Sequence, residues 1–313
     1  MSAMDHRQFV SSLALSDRLR LTERSNWRGL RHLAGHWALI GICGTGVALG
    51  VPGWPFLMLP LGVALVFLFT LQHETTHLTP FRWEWLNRWV GAICGVILLL
   101  PPTWFRLFHL AHHRHTQDPH HDPELAAPKP ETPSAYAWHL TGIPVWHGQI
   151  RTLLRNAAGR NTDAFVPPRR RAAIQHEAQA MLALYAALAG ASLWTGSAML
   201  LWLWVIPMLL GQPFLRLYLL AEHGRCPQVA DMLSNSRTTL TNRAVRFIAW
   251  NMPFHAEHHA WPTVPFHRLP ALHDLARPYL TQTTRGYATF HRDYLRDLRG
   301  DDKEDGAPIR IRT

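Results

Sequence analysis

Two long stretches of this chain carry no charged side chain. Residues 35–72 and residues 180–215 contain no Asp, Glu, Lys or Arg. Each covers roughly 36 residues, about 54 Å if helical, whereas about 20 residues suffice for one helical crossing of a bilayer. Each run therefore reads as two crossings and a turn. VPGWP at residues 51–55 breaks the first run, and Thr195, Gly196 and Ser197 break the second; these are turn-forming residues. The expected fold is all-α and integral to the membrane. Four transmembrane helices, at about residues 33–51, 54–77, 178–194 and 198–220, would form two hairpins carrying a cytoplasmic helical cap.

The rest of the composition supports this. Only 17% of the 313 residues are charged, which is low for a soluble protein. The formal net charge is +10, and its placement is informative: Arg7, Arg18, Arg20, Arg24, Arg28 and Arg31 precede the first hairpin, while Arg151, Arg155, Arg160, Arg169, Arg170 and Arg171 lie between the hairpins. The hairpin tips carry no charge. The positive-inside rule then puts both termini and the central segment on the cytoplasmic side. A basic chain can also bind nucleic acid, but here the basic residues flank apolar spans and no nucleic-acid module is present. Arg169, Arg170 and Arg171 suit anionic lipid head groups. Cys43, Cys94 and Cys226 are scattered, without a CxxC pair, so no disulfide is expected.

Between these landmarks, residues 1–32 read as a polar N-terminal arm with one amphipathic helix. Residues 33–290 read as a single membrane domain, and residues 291–313 as a polar tail, disordered from Gly300 onward. The apolar piece at residues 89–100 is too short to cross easily and reads as a re-entrant or interfacial helix. Residues 103–116 should be helical, 118–133 an irregular loop, and 137–157 an interfacial helix anchored by Trp138 and Trp146. Pro207 and Pro213 would kink the fourth span, and Arg216 near its end would snorkel.

The chemistry lies in nine histidines. His73 and His77 stand in HETTH, His109, His112 and His113 in HLAHH, His223 in AEHG, and His255, His258 and His259 in HAEHH. Residues three and four apart share a helix face, so each box aims two or three imidazoles at one point. Imidazole suits iron, zinc, copper and nickel. One zinc ion takes about four ligands, so nine histidines are too many for one site and suit two ions. All nine fall at cytoplasmic ends of spans or in cytoplasmic segments. HETTH also matches the zinc-protease motif HExxH, but that reading leaves seven clustered histidines unused. A histidine-rich metal transporter is a rival of another class, yet transport sites lie near mid-membrane. Zinc has no redox chemistry, whereas iron binds and reduces dioxygen.

Glu74, Glu222 and Glu257 adjoin the boxes and are candidates to orient an imidazole through its distal nitrogen; as helix-surface acids they would need no such role. Asn251 is a further candidate partner, although its position before Pro253 better suits a cap on the helix bearing HAEHH. His115, His120 and His121 fall in a segment broken by prolines and read as surface or loop-capping residues. Trp37, Trp54, Trp202 and Trp204 read as lipid-facing or interhelical aromatics.

HETTH, HLAHH and HAEHH, in this order around two hairpins, resemble the three histidine boxes of the membrane fatty-acid desaturase superfamily. The resemblance runs from about residue 35 to residue 280. It implies a di-iron centre on the cytoplasmic face, completed by a histidine between the second hairpin and the third box, the place that His223 occupies. AEHG also resembles the Glu-His-Tyr-Gly element of membrane alkane hydroxylases, without the Tyr. The implied function is oxygen-dependent desaturation of a fatty-acyl or related lipid chain, with two iron ions and dioxygen as co-substrate. The alternative is a hydroxylase or ketolase of an alkane, lipid or carotenoid. The chain has no haem, flavin or Rossmann signature and no HPGG element of cytochrome b5-like fusions. Electrons would then come from a separate ferredoxin, rubredoxin or cytochrome, an acidic one suiting the basic cytoplasmic surface.

Overall fold

A computed structural model describes residues 4–300; the expected disorder beyond Gly300 lies outside them. The described chain is mostly helical. Among these residues three helices are long and apolar enough to cross a membrane: Trp54–Thr76, Pro168–Thr195 and Leu201–His223. They match the second, third and fourth expected spans. The third begins at Pro168, ten residues early, because proline fits the first turn of a helix and carries the Arg169–Arg171 triplet in with it.

The first expected span differs. Its helix, Asn26–Ala48, starts seven residues early, where the Ser25 hydroxyl accepts the Arg28 N–H at 3.3 Å. It is long enough at 23 residues but less apolar than the other three, since it carries Arg28, Arg31 and several glycines.

Glu84–Ile97 and Pro102–His115 meet at 102° across a short break. Pro101 and Pro102 stop the first helix and start the second. The bend turns the chain back, so that HLAHH lies beside HETTH.

The spans bearing HETTH and AEHG cross in backbone contact. A Cβ on Gly62 would lie 1.9 Å from the Pro207 carbonyl oxygen, and one on Gly211 would lie 2.4 Å from the Gly62 oxygen. Small residues at a crossing permit this approach. Pro207 follows a π-helical turn, Leu201–Val205, which accommodates its missing N–H.

Several expectations need correction. The fold is not wholly helical: Thr238–Leu240 pairs in parallel with Thr283–Arg285. Strands of three residues are too short to show alternation. The N-terminal arm is two helices, His6–Ser12 and Leu15–Leu21, which bury Phe9 and Leu21. The boundaries at 32 and 290 fall inside the helices Asn26–Ala48 and Tyr287–Arg299. Residues 137–157 form two helices, Pro133–Leu140 and Ile143–Ala157, broken at Gly142 with φ 70°. Arg216 does not snorkel. It is 8% exposed, because Pro133–Leu140 packs against the helix that carries it. The three cysteines are free and buried.

Candidate metal centre

Four segments converge. HETTH ends its helix at His77, where Leu78 takes a left-handed backbone with φ 60°. HLAHH occupies the last turns of Pro102–His115. AEHG closes Leu201–His223, and HAEHH forms the short helix His255–Ala260, every residue of which is buried.

The ε-nitrogens point inward. His73 Nε2 lies 2.7 Å from His258 Nε2, and His77 Nε2 lies 2.9 Å from His109 Nε2. His223 Nε2 lies 3.2 Å from His112 Nε2 and 3.0 Å from His255 Nε2. The structure sorts the histidines into two adjoining sets. Ligand atoms of His73, His77, His109, His113 and His258 all fall within 4.8 Å of one another, as do those of His112, His223 and His259. His255 joins the second set through His223. Where the sets meet, the rings of His113 and His259 stack with centroids 4.1 Å apart.

This donor set fits metal ions. Ligands bound at about 2.0–2.1 Å and roughly at right angles sit about 3 Å apart, the spacing found between these nitrogens. Both ring nitrogens of His113, and Nε2 of His259, are buried without a hydrogen-bond partner. Buried polar atoms are rarely left so unless an ion or water completes them. Burial pushes His255, His258 and His259 well below the usual imidazole range, and neighbouring histidines add to the effect. Neutral imidazole is the form that binds metal.

The δ-nitrogens face outward to fixed partners. His112 Nδ1 lies 2.9 Å from Asp122 Oδ1. His223 Nδ1 lies 3.2 Å from the Asn235 carbonyl oxygen, and His259 Nδ1 3.1 Å from the Thr116 hydroxyl. Two expected carboxylates also face imidazoles: Glu222 Oε1 is 3.2 Å from His255 Nδ1, and Glu74 Oε1 is 3.6 Å from His258 Nδ1. Neither pair is aligned as a hydrogen bond. Glu74 also accepts the Thr79 hydroxyl at 3.0 Å and the Phe266 N–H at 3.2 Å.

Glu257 turns away from the nine converging imidazoles. It accepts the Thr238 hydroxyl at 2.5 Å and pairs with His273. Asn251 also stands apart from the imidazoles. Its side chain accepts the Arg246 Nε–H at 3.1 Å and donates to the Phe266 carbonyl at 3.0 Å. It caps nothing either, because the HAEHH helix starts only at His255, after Phe254.

Asp122 escaped the sequence reading. It sits ten residues beyond His112, outside any helical spacing, in a segment read as loop. Its carboxylate is buried and also accepts the Gln117 N–H at 2.8 Å and the Glu124 N–H at 2.9 Å. Burial would raise its pKa, but hydrogen bonding and charge from His112, with these backbone bonds, outweigh that and hold it below the usual range. The Asp-Pro pair was the available signal, as a turn cap. The Asn235 contribution is a backbone carbonyl, which side-chain identity does not announce.

A model of the family described as fatty acid desaturase matches residues 17–291. A fatty acid conjugase, FAC2 B, of Calendula officinalis is 30% identical over 101 residues, 32% of this chain and 26% of that protein. An sn-1 oleoyl-lipid 12-desaturase of Picosynechococcus sp. (strain ATCC 27264 / PCC 7002 / PR-6) is 29% identical over 103 residues, 32% of this chain and 28% of that protein. An sn-1 oleoyl-lipid 12-desaturase of Arthrospira platensis is 30% identical over 83 residues, 25% of this chain and 22% of that protein. The chain thus spans about a quarter of the length of the curated relatives it matches.

Proposed function

This chain belongs to the fatty acid desaturase family, and from that premise we propose that it is an oxygen-dependent desaturase of a fatty-acyl or related lipid chain. The eight box histidines together with His223 would hold two iron ions. The observation that carries this reading is the convergence of their ε-nitrogens into two adjoining sets. Iron is preferred to zinc because removing hydrogen from a saturated chain is a redox reaction and zinc has none to offer. Bound there, the iron pair would supply activation of dioxygen.

The balance needs a reductant. One dioxygen takes two hydrogen atoms from adjacent methylenes, plus two electrons and two protons, and leaves as two waters. The electrons come from a separate protein of the ferredoxin, rubredoxin or cytochrome type. The chain's own residues hold the imidazoles in place. Asp122, Thr116 and the Asn235 carbonyl each engage a δ-nitrogen, which fixes ring orientation and leaves the ε lone pair facing inward. His73 and His223 sit at the ends of their spans. That end is read as cytoplasmic from the arginine distribution, with both termini on the same side. A site at one membrane face suits a substrate carried in the lipid layer and argues against a transporter, whose site would lie near the midplane.

Mass spectrometry of lipids from cells expressing the chain tests the reading. Loss of two hydrogens from a chain is the expected result. Gain of one oxygen atom would move the reading to a hydroxylase or ketolase. No lipid product, or oxygen uptake by purified protein stripped of iron, would overturn it.

A further inference from the structure

A third group of ligands stands outside the boxes. His115, Asp118 and His121 bring two ring nitrogens and a carboxylate oxygen within 4.8 Å of one another. They lie at positions i, i+3 and i+6 across the end of the HLAHH helix, where the chain leaves it at Thr116.

The turn that holds them is well fixed. Gln117 has φ 64°. The Asp118 N–H donates to the His115 carbonyl at 2.7 Å, and the Asp122 N–H donates to the Asp118 carbonyl at 3.0 Å. Pro119 and Pro123 remove backbone freedom on either side. Asp118 Oδ1 accepts the His120 N–H at 2.9 Å, which leaves Oδ2 facing His121 Nδ1 at 2.8 Å. The rings of His115 and His121 are 5.3 Å apart at their centroids.

We propose that this triad is a third, solvent-accessible metal site, taking a divalent ion of zinc's character. Two imidazoles and one carboxylate are ligands that zinc accepts. The O···N separation of 2.8 Å between Asp118 and His121 needs to open by only about 0.5 Å to reach the edge of a tetrahedral zinc site, roughly 3.3 Å. The ion takes the place of the hydrogen between that pair, and the neutral imidazole then carries its own hydrogen on Nε2. The Asp118 and His121 side chains are 38% and 64% exposed. The remaining coordination positions therefore fall to water, and the ion exchanges with solvent. Asp122 follows His121 directly and engages both the Gln117 N–H and His112 Nδ1. The triad thus borders the histidine centre without supplying a ligand to it.

The proposal does not depend on the box histidines binding iron. The test titrates the purified full-length, iron-loaded chain with zinc(II) and counts both metals by mass spectrometry. His121→Ala and the double variant Asp118→Asn/His121→Ala run alongside; both positions reach solvent, so the fold tolerates the changes. Wild type is expected to hold one zinc per chain more than either variant, with equal iron in all three. Equal zinc uptake by wild type and variants would overturn the site. Loss of iron together with zinc would overturn it as well, by making the triad part of the histidine centre.

Discussion

His73 and His258 are 185 residues apart in the chain and 2.7 Å apart at their ε-nitrogens. Both are buried, and protonation of either ring would place a charge where solvent cannot reach it. Facing pairs of this kind are satisfied by a shared cation, which draws both lone pairs at once. Replacing either residue by alanine opens one coordination position and leaves the helices in place. His73→Ala and His258→Ala are each expected to lower iron affinity by more than about 100-fold, since even partners behind a ligand account for 10–100-fold. Turnover should be lost. Iron per chain, counted beside circular dichroism, checks this; a variant with full iron and normal product would remove that histidine from the ligand set.

Asp122 gives a graded version of the same test. It engages His112 through Nδ1 and not through the inward face. Asp122→Ala is expected to weaken iron binding by roughly 10–100-fold, read by competition with a chelator. Asp122→Asn keeps an acceptor oxygen and should fall between wild type and alanine. Unchanged affinity in Asp122→Ala would mean that His112 is oriented by something else.

The contrast between His112 and Asp122 marks what was legible in the sequence. Boxes on helices follow a fixed spacing, so the grouping of His109, His112 and His113 could be read from the sequence alone, as could three of the four apolar helices expected from the uncharged runs. Contacts between loops and helices have no such period. Asp122, Thr116 and the Asn235 carbonyl approach their imidazoles through turns whose path depends on φ values such as that of Gln117, and composition does not encode these. Glu257 shows the opposite failure. It lies inside a box, yet its place on the short helix directs it to Thr238 and His273. The burial of Arg216 is a tertiary effect that local sequence does not carry: the helix that covers it comes some 80 residues earlier in the chain.

Acid should weaken the fold before it reaches the carboxylates. His139 and His267 lie outside the spans; burial, followed by nearby arginine charge, lowers each from 6.5 to about 4. Above pH 6.5 both are neutral whether the chain is folded or not, and their contribution is intact. As pH falls from 6.5 toward 4, the unfolded chain binds protons that the folded chain refuses, and stability declines. The melting temperature of metal-free protein in detergent should therefore drop across this interval. The double variant His139→Gln/His267→Gln should show a flatter drop. An identical slope would assign the acid sensitivity elsewhere.

The crossing at Gly62 and Gly211 tests whether span packing sets the geometry of the centre. Alanine at Gly62 places a carbon 1.9 Å from the Pro207 carbonyl oxygen, and that neighbour is backbone and cannot rotate away. The helices must part. Overpacking of this kind costs about 1–3 kcal/mol or more, and the separation passes up the two helices to His73 and His223 at their ends. Gly62→Ala should lower both the melting temperature and the iron content. Gly44→Ala is the control, because a Cβ there meets nothing within 4 Å and glycine inside a helix is itself unfavourable by about 0.5–1 kcal/mol relative to alanine. That variant should match or exceed wild-type stability with full iron. If the two substitutions behaved alike, the crossing would not govern the spacing between HETTH and AEHG, and loops alone would have to hold the histidines together.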